Sequence, residues 1–382
     1  MSVRIKVYDK DRIFQRQIGN PTSLVVTPRV HPLIGTAVMS VALSHPAVPA
    51  LRADGARVVF TDPDDPGVTM SGPVDSVEID SDTESLTVTV LDDSWILAGI
   101  LGWQVPGASI TNQGSAEYKT YTGRAETIVK NVVRENGVNR LGIPGLVVAP
   151  DQGRGNIVDG GASYRMHPIP DRIYPGIEMA GIGLRVRQVG TNLVFDVYEP
   201  RTYPQVLSVD GRTVKSVKHR RSRPRASRVV IGGPGEGKER RYRQLVDTAR
   251  ETRYGFCGET FRDARDAKDD SEPENVAATN ATMDARGRET LTEAAAVNGL
   301  SITLAESSIF TYGSGGVLVG DKVTADVYGT QVTDTVNEAR LELVAPGYVR
   351  AEPMIGEQID PAVRQAKMLA ELKESQRKEE RA

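Results

Sequence analysis

The sequence has few of the residues that most often build chemical sites. It holds one cysteine, Cys257, in 382 residues, so neither a disulfide framework nor a multi-cysteine metal site can form within one chain. Aromatic residues make up 5% of the chain. This scarcity argues against a surface that stacks sugars or single-stranded nucleic acid.

A strong charge of one sign and long apolar runs are also missing. The net charge is −3, so no global field draws the chain toward nucleic acid or an anionic membrane. The N-terminus is charged and alternating, without the apolar region of a signal peptide. No uncharged run reaches the ~20 residues that a membrane helix needs. We therefore expect a protein that is made in a cytoplasm and makes no direct membrane insertion.

The remaining composition is that of a globular protein. Apolar residues make up 39% of the chain and charged residues 25%, an ordinary mix for a folded domain. At about 150 residues per domain, the length suggests two or three domains.

Alternating apolar and polar residues predict β structure over the first 110 or so residues. Apolar side chains alternate with acidic ones at 77–80 and with threonines at 86–90, and a polar turn lies between them at 81–84. This pattern predicts a hairpin with one buried face. Further strands are predicted at 3–7 and 57–60. Many short strands with glycine and proline between them are typical of a small barrel or sandwich.

One amphipathic helix is predicted at residues 125–133. Its apolar residues recur at i, i+3, i+4, i+7 and i+8 and form a stripe on one side. Thr122 is placed to cap its start, and Gly137 to end it. A glycine-rich loop is expected at 146–165 and a second helix at 175–190.

The second half of the chain mixes strands with one further helix. A strand is predicted at 193–198, and β structure continues from 206 to 246. A charge-dense loop at 262–275 precedes a helix at 283–298, which Gly299 ends. More strands are predicted at 301–304, 317–319, 322–327 and 339–344. Asp360 and Pro361 are suited to open a C-terminal helix with a thin apolar face.

The stretch RVVIGGPGEGKERR, residues 228–241, imitates a phosphate-binding loop but lacks its essential parts. Gly232 and Gly237 have the right separation, and Lys238 follows. Glu239, however, stands where such a loop needs a hydroxyl for Mg²⁺. Several arginines follow at the position where a phosphate-binding loop leads into a helix. Cations are unfavourable at the start of a helix. The pattern predicts instead a turn between two strands.

No other motif predicts a catalytic, cofactor or metal site. The segment Asp62–Gly67 imitates the start of a calcium loop, but Pro66 and Pro73 occupy ligand positions. Ser314 lies outside any nucleophile elbow. The four histidines each lie next to a proline or an arginine in a predicted loop and share no helical face; they are His31, His45, His167 and His219. We assign no catalytic, cofactor-binding or metal-binding residue and no cofactor.

The strongest charge feature is the basic run Lys218–Arg228, KHRRSRPRASR. A nucleic-acid or phosphate surface would fit its charge, but no aromatic residue interleaves the run. Solvated strands or an edge protected by cations explain it better. Contact with an acidic protein is a third possibility.

The order of these segments resembles a known family. A β-rich unit ends near Trp95, a helix follows Tyr121 and Gly123, and RPRASRVVIGGPGEGKERR lies in mid-chain. After these come YGFCGETF, VGDKVTADV at 319–327 and VNEARLELV at 336–344. The chain resembles, over residues 3–356, the minor tail proteins of siphophages that infect actinobacteria. Those proteins are similar to the tail-tip, or baseplate, hub proteins of long-tailed phages.

The resemblance implies a mainly β, α+β fold with two β-barrel-like domains and an α+β portion between them. The first barrel would take residues 1–110 and the α+β part 112–205 and 246–299. The second barrel would take 206–245 and 300–350, and a linker with an exposed C-terminal helix would take 351–382.

The resemblance also implies a function. The chain would be a structural virion protein of a long non-contractile tail, assembled in the host cytoplasm and located at the tail tip. As a homotrimeric hub it would join the tail tube to the tip and the host-recognition apparatus. Its partners would be the distal tail protein ring, the tape measure protein and other tail-tip proteins, with DNA only as passing cargo. The family has no catalytic motif, so the resemblance implies no catalytic residue in this chain.

Two alternative functions fit the same resemblance. The chain could be a tail-tip module that binds the host surface through the loops at 146–170 and 262–275. It could also be a cell-wall-degrading tail enzyme, although no residue pattern singles out a catalytic group.

Overall fold

The computed structural model describes residues 3–30, 33–62, 68–158, 161–171, 173, 180–221, 223–235, 237–265, 267, 273–295, 298–307, 310–313, 315–327 and 329–355. Contacts divide the chain into two units. The first contains Met1–Val217 and Ser301–Glu357, and the second contains Lys218–Leu300.

Strands dominate the described residues. They are β1 (Arg4–Tyr8), β2 (Phe14–Ile18), β3 (Ser23–Thr27), β4 (Thr36–Ala42), β5 (Arg57–Thr61), β6 (Val68–Asp80), β7 (Ser85–Leu91), β8 (Leu101–Gly102), β9 (Lys119–Tyr121), β10 (Leu146–Val148), β11 (Ala162–Tyr164), β12 (His167–Pro168), β13 (Gly183–Val189), β14 (Asn192–Tyr198), β15 (Thr202–Ser208), β16 (Val214–Arg221), β17 (Arg228–Gly232), β18 (Tyr242–Val246), β19 (Glu259–Asp263), β20 (Asn298–Leu304), β21 (Lys322–Val327), β22 (Thr330–Ala345) and β23 (Tyr348–Ile355).

The described helices are fewer. They are α1 (Val48–Leu51), α2 (Ala125–Val133), α3 (Thr248–Tyr254) and α4 (Pro273–Glu293), with 3₁₀ segments at Asp93–Gly99, Ile110–Ser115 and Gly237–Glu239 and a π-helical segment at Arg134–Arg140. The mainly β, α+β class predicted from the sequence is confirmed. No helix in the described part of the chain is long and apolar enough to cross a membrane.

The first unit is built on a thirteen-stranded sheet. Its order is β16-β20-β23-β22-β3-β4-β7-β6-β5-β1-β2, and β15 and β21 continue from β22. Alternate residues of these strands are buried, and Leu86, Val88 and Val90 of β7 belong to one core with Met39 and Val41 of β4. In the described residues the strand order is an open path, so the two-barrel arrangement stays a prediction.

The predicted hairpin at 77–90 is confirmed. Strands β6 and β7 pair antiparallel up to Asp80 and Ser85, with the polar turn between them. The prediction of one buried face is right for β7 and wrong for this part of β6, where Val77 and Ile79 are exposed. The predicted strands at 3–7, 57–60 and 193–198 also form, as β1, β5 and β14.

Helix α2 forms in the predicted region and buries the predicted apolar stripe. Its apolar residues pack on strands β13 and β14 in a second core of the first unit, which includes Ile128, Val132, Leu184 and Phe195. The amphipathic period therefore identified both the helix and its packing face.

The predicted ends of this helix are wrong. Thr122 does not cap it, because the helix begins at Ala125 and carbonyl groups of a distant loop accept its first N–H groups. Ala125 N–H donates to Asn156 O at 3.0 Å, and Glu126 N–H to Arg154 O at 3.3 Å. Gly137 does not end the helix either, since the π-helical segment runs through it. A β-carbon there would lie 3.0 Å from Ile100 Cδ1, so the glycine permits close packing.

Two further predictions in this region are wrong. The expected loop at 146–165 contains β10, which pairs in parallel with β14, and the whole of β11, which pairs with β9. The expected helix at 175–190 is a strand from Gly183 to Val189, where Leu184 and Val186 are buried with a period of two. Residues 175–179 of that prediction lie outside the described residues.

A fully buried lysine lies within the apolar stripe of α2. Lys130 Nζ donates to Glu126 Oε1 at 2.6 Å, to the Pro150 carbonyl at 2.8 Å and to Asp196 Oδ1 at 3.1 Å. Three acceptors satisfy the three protons of the ammonium group. Burial of the Asp196 carboxylate acts to raise its pKa. Hydrogen bonds from Lys130 and Arg185 act in the opposite direction and help to hold the pKa of Asp196 below its usual value.

A second buried polar cluster joins the two cores of the first unit. Arg57 of β5 donates to Asp93 and, at 2.9 Å, to Gln188 Oε1 of β13. Ser71 Oγ donates to Asp93 Oδ2 at 2.6 Å and accepts from Gln188 N–H at 2.8 Å. All four side chains are buried. Because a buried charge is tolerated when it is paired and hydrogen-bonded, this cluster fixes how β13 meets β5 and β6.

The second unit is a three-stranded sheet covered by one helix. Strand β17 lies in the middle, antiparallel to β18 and parallel to β19. Helix α4 packs on one face of this sheet, where Val229, Ile231 and Met283 are buried together.

The predicted helix at 283–298 is displaced along the chain. Helix α4 begins at Pro273 and ends at Glu293, so it also fills the end of the expected loop at 262–275. Strand β19 fills the start of that loop. The apolar residues of α4 are sparse before Met283, and this explains why a pattern of apolar residues detects only its second half.

The strands predicted at 301–304, 322–327 and 339–344 form within β20, β21 and β22. Residues 317–319 do not form a strand; Val317 makes an isolated bridge to Tyr312. The predicted C-terminal helix lies outside the described residues.

Candidate interaction surface

The hairpin of β17 and β18 carries the glycine-rich segment that is most distinctive in the sequence. The strands pair from Arg228 opposite Val246 to Gly232 opposite Tyr242. The prediction of a turn between two strands is therefore confirmed. Lys238 and Glu239 lie in a short 3₁₀ turn and no helix opens there, so the segment lacks the strand–loop–helix form of a phosphate-binding loop.

Each of two glycines in this segment meets a separate need. A β-carbon on Gly233 would lie 2.5 Å from Met283 Sδ, so its absence lets α4 approach the sheet. Gly235 has φ of +100°, a conformation that other residues adopt only with strain.

Gly232 makes room for an arginine on the opposite face of the sheet. The guanidinium group of Arg240 lies across Gly232 and donates to its carbonyl at 3.3 Å and to Asp263 Oδ1 at 2.7 Å. The same group lies 5.7 Å from the ring centre of Tyr242 and 5.6 Å from that of Phe261. These distances are within the range of cation–π attraction.

The face that Arg240 crosses is not covered by other described parts of the chain. Tyr242, Val246 and Phe261 are 58%, 41% and 54% exposed. We call this side of the β18-β17-β19 sheet the open face. Aromatic and arginine side chains in contact with one another are the residues that contribute most to binding at protein interfaces.

Ion pairs lie on both sides of this sheet. At the open face, Arg228 donates to Glu251 Oε1 at 2.6 Å and to Oε2 at 3.1 Å. The hydrogen bonds from Arg228 hold the pKa of Glu251 well below its usual value. On the face covered by α4, Arg243 makes a similar two-point contact with Asp284, at 2.6 and 2.8 Å. Such paired contacts fix an arginine more firmly than a single one.

The basic run Lys218–Arg228 is divided between structural roles. Its first part is the end of β16 and its last residue begins β17. Arg223 lies 6.0 Å from the ring centre of Phe256, and Arg225 N–H donates to the Ala294 carbonyl at 2.9 Å. The side chains of 219–222 lie outside the described residues.

The histidines are not brought together. His45 Nδ1 accepts from the Ala47 N–H at 3.1 Å, and His167 lies in β12, where its Nδ1 accepts from the Arg165 N–H at 3.0 Å. The prediction that His167 lies in a loop is therefore wrong. His31 and the side chain of His219 lie outside the described residues, as do Ser314 and most of the Asp62–Gly67 segment. In the described part of the chain, no three acidic, histidine or cysteine side chains are grouped to hold a metal.

A small polar cavity lies within the first unit. Its volume is about 60 Å³, and its lining includes Asp92, Arg185, Arg187, Tyr198 and Tyr312. Burial raises the pKa of Asp92 to about 6, although Ser94 donates hydrogen bonds to its carboxylate. Burial also lowers the pKa of Arg187. The volume is sufficient for a few water molecules.

The sequence pattern did not identify the open face. The signal for it was the alternation from Tyr242 to Val246. The exposed side chains of this strand include a tyrosine and a valine, whereas Leu245, which points to the other face, is half-buried. The position of Phe261 beside them depends on the parallel pairing of β17 with β19 across the 26 intervening residues 233–258, which local patterns do not reveal.

Solved structures with the same fold are phage tail proteins. The 43 kDa tail protein of prophage MuSo2 from Shewanella oneidensis is 13% identical, with a TM-score of 0.57 over 93% of this chain and 98% of that one. A tail protein of Neisseria meningitidis MC58 is 13% identical, with a TM-score of 0.54 over 94% and 97%. Prophage tail protein gp18 of Listeria monocytogenes EGD-e is 10% identical, with a TM-score of 0.52 over 96% and 98%. The chain therefore has a phage tail-protein fold.

Residues 4–357 match the family of Siphovirus ReqiPepy6 Gp37-like proteins, and the chain belongs to that family. The resemblance seen in the sequence is confirmed. The chain is therefore a siphovirus-family protein with the fold of phage tail proteins. No curated protein matches the sequence.

Proposed function

We propose that this chain is the subunit of a homotrimeric hub at the tip of a long non-contractile phage tail. The hub joins the tail tube to the tip and its host-recognition proteins. The observation that carries the proposal is the match of nearly the whole chain to a siphovirus family together with the fold of phage tail proteins. The proposed neighbours are the distal tail protein ring, the tape measure protein and other tail-tip proteins.

In this proposal the sheets have a mechanical role. Two barrel-like parts, at 1–110 and at 206–245 with 300–350, form the ring, and residues 112–205 and 246–299 form the α+β part. The C-terminal segment 351–382 extends from the ring. Ring subunits of this kind need large interfaces, on the order of 2,000 Å² or more for a permanent assembly. The subunits assemble in the host cytoplasm and DNA passes through the finished ring.

The mass of the purified protein tests the trimer. Light scattering after size-exclusion chromatography should give three times the 41.4 kDa chain mass. A single-chain mass at all concentrations up to about 100 µM would contradict self-association. Imaging of intact particles, with an antibody against this chain, should then place the label at one end of the tail.

The proposed role involves no catalysis. Zymography of the purified chain on host envelope should give no clearing zone, whereas a lytic tail protein run beside it should give one. Clearing by this chain would instead support the cell-wall-degrading alternative.

A further inference from the structure

The small polar cavity of the first unit lies where its two cores meet. Its lining includes Leu184 and Val186 of β13, which belong to the core of α2, and Tyr312, which belongs to the core of the thirteen-stranded sheet. Residues 28 and 29, which follow β3, also line it. The cavity is therefore built from segments far apart in the sequence, and the packing of the two cores fixes its lining.

Three arginines line this cavity, and two of them have acceptors elsewhere. Arg29 Nε donates to Glu338 Oε2 at 2.8 Å, and Arg185 Nη2 donates to Asp196 Oδ2 at 3.2 Å. The guanidinium group of Arg187 forms no hydrogen bond and no ion pair with any residue that the structure describes. Its positive charge therefore lacks a direct partner.

Two tyrosine hydroxyl groups on the lining also have no acceptor among the described residues. They belong to Tyr198 of β14 and to Tyr312. Burial raises the pKa of both side chains, so each keeps a proton that it can donate. A buried donor without an acceptor is unfavourable. A ligand that accepts hydrogen bonds from these groups and from Arg187 would satisfy all of them.

Asp92 is the carboxylate on the lining, and Arg187 is not its hydrogen-bond donor. The N–H and the hydroxyl group of Ser94 donate to it instead. Burial raises the pKa of Asp92 to about 6, so below that pH the group is mostly neutral and does not oppose an anion. The other titratable groups that act on Asp92 or Arg187 are Asp93, Arg185, Tyr198 and Tyr312.

We infer that this cavity is a binding site for one small inorganic anion, a halide or an oxyanion of the size of phosphate. Arg187 supplies the positive charge, and the hydroxyl groups of Tyr198 and Tyr312 supply further donors. A volume that admits a few water molecules also admits one such ion. The bound ion contacts residues of both cores and stabilises the folded first unit. The inference is independent of the proposed self-association.

Thermal unfolding of the full chain tests the site in solution. Sodium chloride and sodium phosphate are each compared with sodium gluconate at equal ionic strength, because gluconate is too large for the cavity. The midpoint should rise with the concentration of at least one small anion, as for a ligand that binds only the folded chain. The apparent affinity should be roughly ten-fold higher about one pH unit below the pKa of Asp92 than one unit above it, since the ionised carboxylate repels the anion.

Variants of the lining identify the residues that bind the ion. Arg187→Gln should abolish the anion-dependent rise. Because this side chain has no hydrogen bond to lose, the variant in gluconate should be at least as stable as the unmodified chain. Arg16→Gln, which removes an exposed arginine of β2, should keep the full rise. Asp92→Asn should give equal affinity at both pH values.

Circular dichroism shows whether Arg187→Gln is folded. If it is not, Tyr198→Phe and Tyr312→Phe replace it, because each removes one donor and keeps the ring. Each of these two variants should reduce the anion-dependent rise of the midpoint.

Diffraction locates the ion directly. Crystals are soaked in sodium bromide, or in phosphate if phosphate gives the larger rise. An ion should appear between the guanidinium group of Arg187 and the hydroxyl groups of Tyr198 and Tyr312, and it should be absent from crystals of Arg187→Gln. An anomalous signal identifies bromide there.

Three outcomes overturn the inference. The first is a cavity that holds only water in these crystals. The second is an ion in the crystal with no anion-dependent rise of the midpoint in solution. The third is an equal rise for the unmodified chain and for folded Arg187→Gln. None of these outcomes bears on the proposed trimer, which the mass of the purified protein decides.

Discussion

The guanidinium group of Arg240 occupies the space that a side chain at Gly232 would need. A β-carbon there would lie 2.5 Å from Arg240 Nη2 and 2.7 Å from Phe261 Cζ. This relationship explains why the strand ends in glycine, although its φ is not in the left-handed region. The arrangement of the open face therefore depends on the absence of a side chain at Gly232 and on the long side chain of Arg240.

Gly232→Ala should displace Arg240 and Phe261. We expect a loss of about 1–3 kcal/mol in the free energy of unfolding, as is usual for overpacking. Urea unfolding followed by fluorescence measures the effect. Gly114→Ala is the control, because nothing lies within 4 Å of a β-carbon there. Equal stability of the two variants would contradict this account of the open face.

Gly287 lies in mid-helix where α4 crosses the sheet. A β-carbon there would lie 2.8 Å from the terminal carbons of Ile231 and Leu245. Gly287→Val should separate the helix from the sheet and destabilise the 218–300 unit by about 1–3 kcal/mol. Ala285→Val, on the exposed side of the same helix, tests the effect of a β-branched residue alone and should cost less. Hydrogen exchange of β17 amides reports the difference.

Asp93 is the carboxylate on which the buried Arg57 depends. The two side chains are 2% and 9% exposed. Asp93→Ala should leave the guanidinium buried without its counter-ion and lower the free energy of unfolding by about 3–5 kcal/mol. Asp11→Ala, which removes a pair exposed on the surface, should leave the unfolding midpoint unchanged. Similar midpoints for both variants would show that the buried cluster does not stabilise the fold.

Asp92 should make stability depend on pH in the opposite sense from a paired carboxylate. Its pKa is raised by burial from 3.8 to about 6, so the folded chain retains a proton that the unfolded chain loses between these values. The contribution of Asp92 to stability therefore falls as pH rises from about 4 to 6.

Asp92→Asn removes this titration. The stability of the variant relative to the unmodified chain should grow between pH 4 and 6 and level off above. With about 1.4 kcal/mol for each pKa unit, the gain should reach at most about 3 kcal/mol. Thermal unfolding of both proteins across this range measures it. A difference that does not vary with pH would contradict the assignment.

The sequence predicted those elements whose signals are local. The amphipathic period of α2, the alternation in β7 and the turn between β17 and β18 each lie within a few residues. The strand at 183–189 and the first half of α4 were missed, since glycines and sparse apolar residues weakened their periodic signal. The start of α2 was misplaced because its first N–H groups donate to carbonyls of residues 154 and 156, far along the chain.

The buried charges and the open face could not be predicted in the same way. Lys130 interrupts an apolar stripe, and only the fold brings the Pro150 carbonyl and Asp196 to it. Phe261 reaches Arg240 through a parallel strand pairing with a long connection. Such relationships depend on tertiary contacts, and a single sequence carries no direct signal for them.

The cluster of Arg57, Ser71, Asp93 and Gln188 has a consequence for how force passes through the first unit. A pull that separates β13 from β5 and β6 must break a charged pair and several hydrogen bonds over a very short extension. Such a junction is stiff and then fails abruptly, so the two cores should stretch as one body under tension and part in a single step.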